Sequence, residues 1–149
     1  MTTITLSQHT TATPEQFIAG LTDFGPGRAR LFPNSTDGYL KVHDHGDTFA
    51  DVTEGSGGIW ERLHYDWSDP GHVVLTTVDS NVWGGRSGHT YTFTRQADGT
   101  TVVRAEVVRE GKNLKGRLLG FVFRFAGRSV LGGALAKTMK AIEATVPNT

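Results

Sequence analysis

Apolar and polar residues alternate with period two through most of residues 1–109, then switch to helical spacing. Thr3-Ile4-Thr5-Leu6-Ser7 predicts a first strand. Thr13-Pro14-Glu15-Gln16 carries the marks of a helix start: a Thr cap, Pro in the first helical position, and acid or amide groups in the first turn. Phe17, Ile18 and Leu21 give that helix its apolar face. Gly25-Pro26-Gly27 ends it, and residues 28–32 predict a second short helix stopped by Pro33. Residues 39–43 and 48–53 flank turn residues at Gly46-Asp47 and predict a hairpin. Glu54-Gly55-Ser56-Gly57-Gly58 reads as a flexible connection at the rim of the fold. Residues 59–67 alternate until the turn Ser68-Asp69-Pro70-Gly71. Residues 73–78, 89–95 and 100–109 are further β-branched or alternating runs, the last two separated by Gln96-Ala97-Asp98-Gly99. These segments predict an antiparallel meander after the first strand.

In the tail, Leu114, Leu118, Val122 and Phe125 recur at helical spacing, as do Leu131, Leu135, Met139 and Ile142. On a straight helix the two sets centre roughly 90° apart. Either the helix bends near Gly127 or Gly132-Gly133, or Arg117, Arg124 and Arg128 point inward; the glycine pair favours a bend. The order predicts an α+β fold: a seven-stranded antiparallel sheet wrapped around a long C-terminal helix, with two short helices after the first strand.

That order is carried by Trp60-Glu61-Arg62-Leu63, Tyr65-Asp66-Trp67-Ser68-Asp69-Pro70-Gly71, Asp79-Ser80-Asn81-Val82-Trp83, Asp98-Gly99-Thr100-Thr101-Val102 and Lys140-Ala141-Ile142-Glu143. With these the chain resembles the helix-grip fold of the START-related and birch-pollen-allergen (SRPBCC) superfamily, and within it the actinobacterial polyketide cyclase/dehydrase-like branch. The resemblance spans nearly all of residues 1–149, taken as one ligand-binding domain. It implies a pocket for a small apolar molecule between sheet and helix. None of these segments is catalytic, and one scaffold serves many functions.

Composition narrows the picture. Hydrophobic residues at 37% and charged residues at 20% suit a globular domain. Zero cysteines exclude disulfides and thiolate metal sites and fit a cytoplasmic protein. No secretory signal is expected, and no uninterrupted apolar run approaches the ~20 residues of a membrane span. The net charge of zero argues against a nucleic-acid partner. It divides, however, into −6 over residues 1–111 and +6 over residues 112–149. The first reading is a basic helix held against an acidic sheet; the second is a basic surface for an anionic ligand, partner or membrane.

Strand parity suggests which side chains line the pocket. The odd positions of residues 59–67 are the more apolar and place Glu61, Leu63 and Tyr65 inward; the same parity turns His89, Tyr91 and Phe93 inward. Glu61, His89 and Tyr91 are candidate acid–base groups, the buried Glu with a raised pKa, for a cyclase or dehydratase reaction. Alternatively, Glu61 pairs with an arginine and His89 sits near solvent. Phe24, Phe32, Leu63, Tyr65 and Trp83 are candidate ligand contacts, as are Tyr91, Phe93, Phe121 and Phe125. Phe123, opposite the last two on the helix, is expected elsewhere. His43-Asp44-His45 has two histidines on one strand face but no third ligand, so no metal site is expected, nor any cofactor. Glu54–Gly58 lacks the ending of a phosphate loop, and Gly84-Gly85-Arg86-Ser87-Gly88 is expected near the pocket mouth.

Overall fold

The alternating segments all become strands in the computed structural model, which describes residues 1–145; residues 146–149 of the expected domain lie outside the described part. The strands are β1 (Thr2–Thr10), β2 (Lys41–His45), β3 (Phe49–Ser56), β4 (Ile59–Asp69), β5 (His72–Ser80), β6 (Gly88–Arg95) and β7 (Thr101–Arg109). They form one antiparallel sheet in the order β1-β7-β6-β5-β4-β3-β2. Five of its six pairings join strands consecutive in the chain. The exception registers Thr2 with Arg109 and Thr10 with Thr101, so the first strand closes on the last.

Helix α1 (Pro14–Leu21) starts as its sequence predicts. The Thr13 hydroxyl accepts from the Gln16 backbone N–H at 3.2 Å, and the Gln16 side chain accepts from the Thr13 N–H at 2.8 Å. The expected second helix is only a single 3-10 turn, Arg28–Arg30. The expected flexible connection at Glu54–Gly58 is also shorter. Glu54, Gly55 and Ser56 belong to β3, and the chain reverses at Gly57 and Gly58, whose φ values of 59° and 84° favour glycine.

Helix α2 (Leu114–Thr145) runs through Gly127 and Gly132-Gly133 as one continuous element. The predicted arginines do not turn inward: Arg117, Arg124 and Arg128 are exposed, and Arg128 donates to the Thr5 carbonyl at 3.4 Å. Instead the first apolar set faces out, with Leu114, Leu118, Val122 and Phe125 all exposed. The reason is glycine. Gly116, Gly120 and Gly127 are buried, and an added Cβ would sit 2.1 Å from the Val82 carbonyl oxygen at Gly116 and 2.4 Å from Ile4 Cδ1 at Gly127. The helix approaches the sheet where it has no side chains, a face that large apolar residues do not mark.

The second half of α2 packs as predicted. Leu135, Met139 and Ile142 join Phe17 and Leu21 of α1 and Val52, Leu63, Tyr65, Val73 and Val103 of the sheet in one core. The charge asymmetry is not resolved into ion pairs across this contact. Among the described residues, Lys112 with Asp79 at 3.4 Å is the pair that joins the basic tail to the acidic body. By length and composition, α2 is apolar enough to cross a membrane, although Arg117, Arg124 and Arg128 interrupt its apolar runs.

Candidate functional site

Parity along β4, β6 and β7 places Leu63, Tyr65, His89, Tyr91, Ala105 and Val107 on the concave face of the sheet. Leu131, Ala134, Leu135 and Thr138 of α2 face them. Between the two lies a cavity of about 310 Å³, mostly apolar, with two polar clusters in its wall.

The first cluster is built on Arg28. Its Nε donates to Glu54 Oε1 at 2.7 Å, its Nη1 to the Asp23 and Gly20 carbonyls at 2.7 and 3.3 Å, and its Nη2 to the Tyr65 hydroxyl at 3.2 Å. Phe24 and Phe32 lie against its guanidinium, each with a centroid 4.7 Å from Cζ. Ser35 Oγ donates to Glu54 Oε1 at 2.7 Å, and the Tyr65 hydroxyl donates to Glu54 Oε2. Burial, reinforced by the Glu54 charge, pushes the Tyr65 phenol well above its usual range, so it stays a donor. Charges this deep persist only when paired, and Arg28 with Glu54 meets that condition.

The second cluster is built on Arg109, at the end of β7. Its Nη1 donates to Glu61 Oε2 at 2.9 Å and its Nη2 to His89 Nε2 at 2.7 Å, with the Trp83 ring 5.1 Å from Cζ. Thr77 Oγ1 donates to the same Glu61 oxygen at 2.7 Å. An arginine donor requires an imidazole lone pair at His89 Nε2, so His89 is neutral with its proton on Nδ1. Burial and then the Arg109 charge push the His89 pKa down from 6.5 to about 4. For Glu61, burial raises the pKa, but Arg109, His89 and the hydrogen bonds of Arg109 and Thr77 outweigh it and hold the carboxyl below its ordinary value. The expectation of a raised Glu61 pKa is therefore corrected: a guanidinium in contact overrides desolvation.

Tyr91 also lines the cavity, against Phe17 at 5.5 Å between ring centroids. Burial and the Glu54 charge raise its phenol to about 12. Near neutral pH the cavity wall thus offers the Glu61 carboxylate, the neutral His89 imidazole and two protonated phenols, beside the Arg28–Glu54 pair.

The remaining sequence candidates divide. Phe32, Leu63, Tyr65, Trp83 and Tyr91 line the cavity. Phe24 stacks on Arg28 and edge-on to Tyr65 at 5.1 Å, and Phe93 is buried in the core beside Phe17. Phe121 and Phe125 do not line the cavity: they contact each other at 4.9 Å on the outer face of α2, 62% and 74% exposed. Phe123, expected elsewhere, is the phenylalanine of this trio that faces the cavity, 6.0 Å from Trp83. His43 and His45 do not converge. A register shift between Val42 and Asp44 breaks the shared face; His43 bonds Thr53 Oγ1 at 2.7 Å, and His45 packs against Phe24 and Trp67. Sequence reasoning missed Arg28, Glu54 and Arg109. Arg109 carries a signal, because it shares the parity of Val103, Ala105 and Val107.

No protein-family model matches the chain, and no curated protein matches it by sequence. Solved structures do. The protein TTHA0849 from Thermus thermophilus aligns with a TM-score of 0.75 at 14% identity, over 98% of this chain and 100% of that one. The fold is the SRPBCC-like helix grip. A START superfamily protein from Mycobacterium smegmatis shares the helix grip with a TM-score of 0.66 at 10% identity, over 97% and 96% of the two chains. The Zhui aromatase/cyclase from a Streptomyces species aligns at 0.68 and 13%, over 98% and 96%.

Proposed function

We propose that the protein binds a small hydrophobic or amphipathic molecule, a lipid or an aromatic polyketide-like compound, between the helix-grip sheet and α2. The carrying observation is the cavity itself: about 310 Å³, near the lower end of small-molecule pockets, and mostly apolar, with the Arg28 and Arg109 clusters in its wall. Helix-grip neighbours that are START and aromatase/cyclase proteins support a hydrophobic ligand-binding fold. The apolar wall would take a ring or chain, and the protonated Tyr91 phenol would donate to a carbonyl or hydroxyl of the ligand. Titration with an environment-sensitive naphthalene dye tests this. One saturable site is expected, displaced by fatty acids or polycyclic phenols, and lost in Ala134→Phe, which fills the space beneath α2. Equal dye binding by the folded Ala134→Phe variant would place the dye elsewhere and remove the reading.

A second reading is a polyketide cyclase- or dehydratase-type enzyme using the same cavity, favoured by Glu61, His89 and Tyr91 sharing its wall. Glu61 is ionised but held by Arg109, and the His89 lone pair is engaged, which weakens both as bases and favours binding over turnover. Glu61→Gln separates the two: an aromatic polyketide-like substrate that is still bound but no longer converted supports catalysis. Unchanged behaviour strikes Glu61 from the mechanism.

A further inference from the structure

The first half of α2 carries an apolar face that nothing among the described residues covers. Leu114, Leu118, Phe121, Val122 and Phe125 are all exposed. At about 100° per residue they form one stripe, opposite the buried Gly116, Gly120 and Gly127 and the cavity-facing Phe123. Arg117, Arg124 and Arg128 follow one edge of the stripe and Lys115 the other, all exposed. No Asp or Glu occurs from Gly111 to Ile142. An apolar stripe edged by cations, on a helix segment that carries no acid, is complementary to one kind of surface: lipid acyl chains beneath anionic headgroups.

We propose that this face of α2 docks, lying in plane, on an anionic membrane surface. The helix is held to the body along its length. Gly116 lies against Val82, the Thr2 hydroxyl donates to the Gly120 carbonyl, and the Thr138 hydroxyl donates to the Leu31 carbonyl. Those contacts keep the outer face available and oppose a spanning orientation. Self-pairing of two copies would bring arginine-edged faces together with no acid to neutralise them. Phe121 and Phe125 would enter the interface, with the arginines at headgroup level. The surface is distinct from the cavity wall, so this inference stands or falls apart from the ligand reading.

Co-sedimentation with phosphatidylcholine vesicles, with and without phosphatidylserine, tests it. Binding is expected only with phosphatidylserine and should weaken as salt is raised. Arg117→Gln and Arg124→Gln should each reduce it about fivefold. Phe121→Ser/Phe125→Ser should abolish it with the thermal melt and cavity dye binding retained, since both rings are exposed. In a Phe125→Trp variant the indole emission should shift to the blue on vesicle addition. Equal binding to neutral vesicles, or none to either, would overturn the proposal. So would a concentration-dependent dimer that the serine variant dissolves while vesicles stay unbound.

Discussion

Arg28 is held by two aromatic faces and four oxygen acceptors. Removing it would leave the Glu54 carboxylate buried without its counter-charge. Arg28→Met is therefore expected to destabilise the fold by about 3–5 kcal/mol in urea titrations, and adding Glu54→Leu should restore part of the loss. His89 makes a prediction of opposite kind. Its folded pKa, about 4, lies below the reference 6.5, so the unfolded chain binds the extra proton between those values. Its contribution is full above about 6.5 and is lost as pH falls toward 4, on the order of 3 kcal/mol in total. Stability measured at pH 7 and pH 4.5 should differ less for His89→Gln than for the wild type; an unchanged difference would assign the acid sensitivity to other groups. Parity made Glu61, His89 and Tyr91 legible in the sequence because a strand fixes the side of every second residue. Glu54 was hidden, since its glycine-rich neighbours read as loop while the backbone continued as strand.

At the scale of elements, the strands were legible and the orientation of α2 was not. Strands carry their burial in large side chains. The first half of α2 carries it in absent ones, and a pattern of large apolar residues then points to the wrong face. The same substitution should act with opposite sign along this helix. Gly133 is exposed and has open space where a Cβ would go, so Gly133→Ala should stabilise by up to about 1 kcal/mol. At Gly116 the new Cβ would lie 2.1 Å from the Val82 carbonyl oxygen. There Gly116→Ala should destabilise by roughly 1–3 kcal/mol despite alanine's better helix propensity. Paired chemical denaturation curves check both. Stabilisation at Gly116 would mean the helix can lift from the sheet.

For the molecule as a whole, a cavity ligand should stabilise by mass action. At one hundred times its dissociation constant the gain is about 2.7 kcal/mol, or roughly 8 °C in Tm for a chain of this size. Calorimetry across a ligand dilution series reads it, and a concentration-independent Tm would deny specific binding. The closure of β1 on β7 has a different consequence, for how the protein is made. Every other strand meets its partner as soon as the next hairpin is synthesised. The first strand must wait for about 100 residues, on the order of 5–20 s at cellular rates of translation. Chains arrested before residue 101 should keep residues 2–10 open to protease, and chains long enough to expose β7 should not. The threonines of β1 (Thr2, Thr3, Thr5, Thr10) leave it polar enough to stay unpaired in the meantime. Nascent-chain assembly thus runs from β2 toward β7, and β1, the earliest of these strands to be made, is the last to be paired.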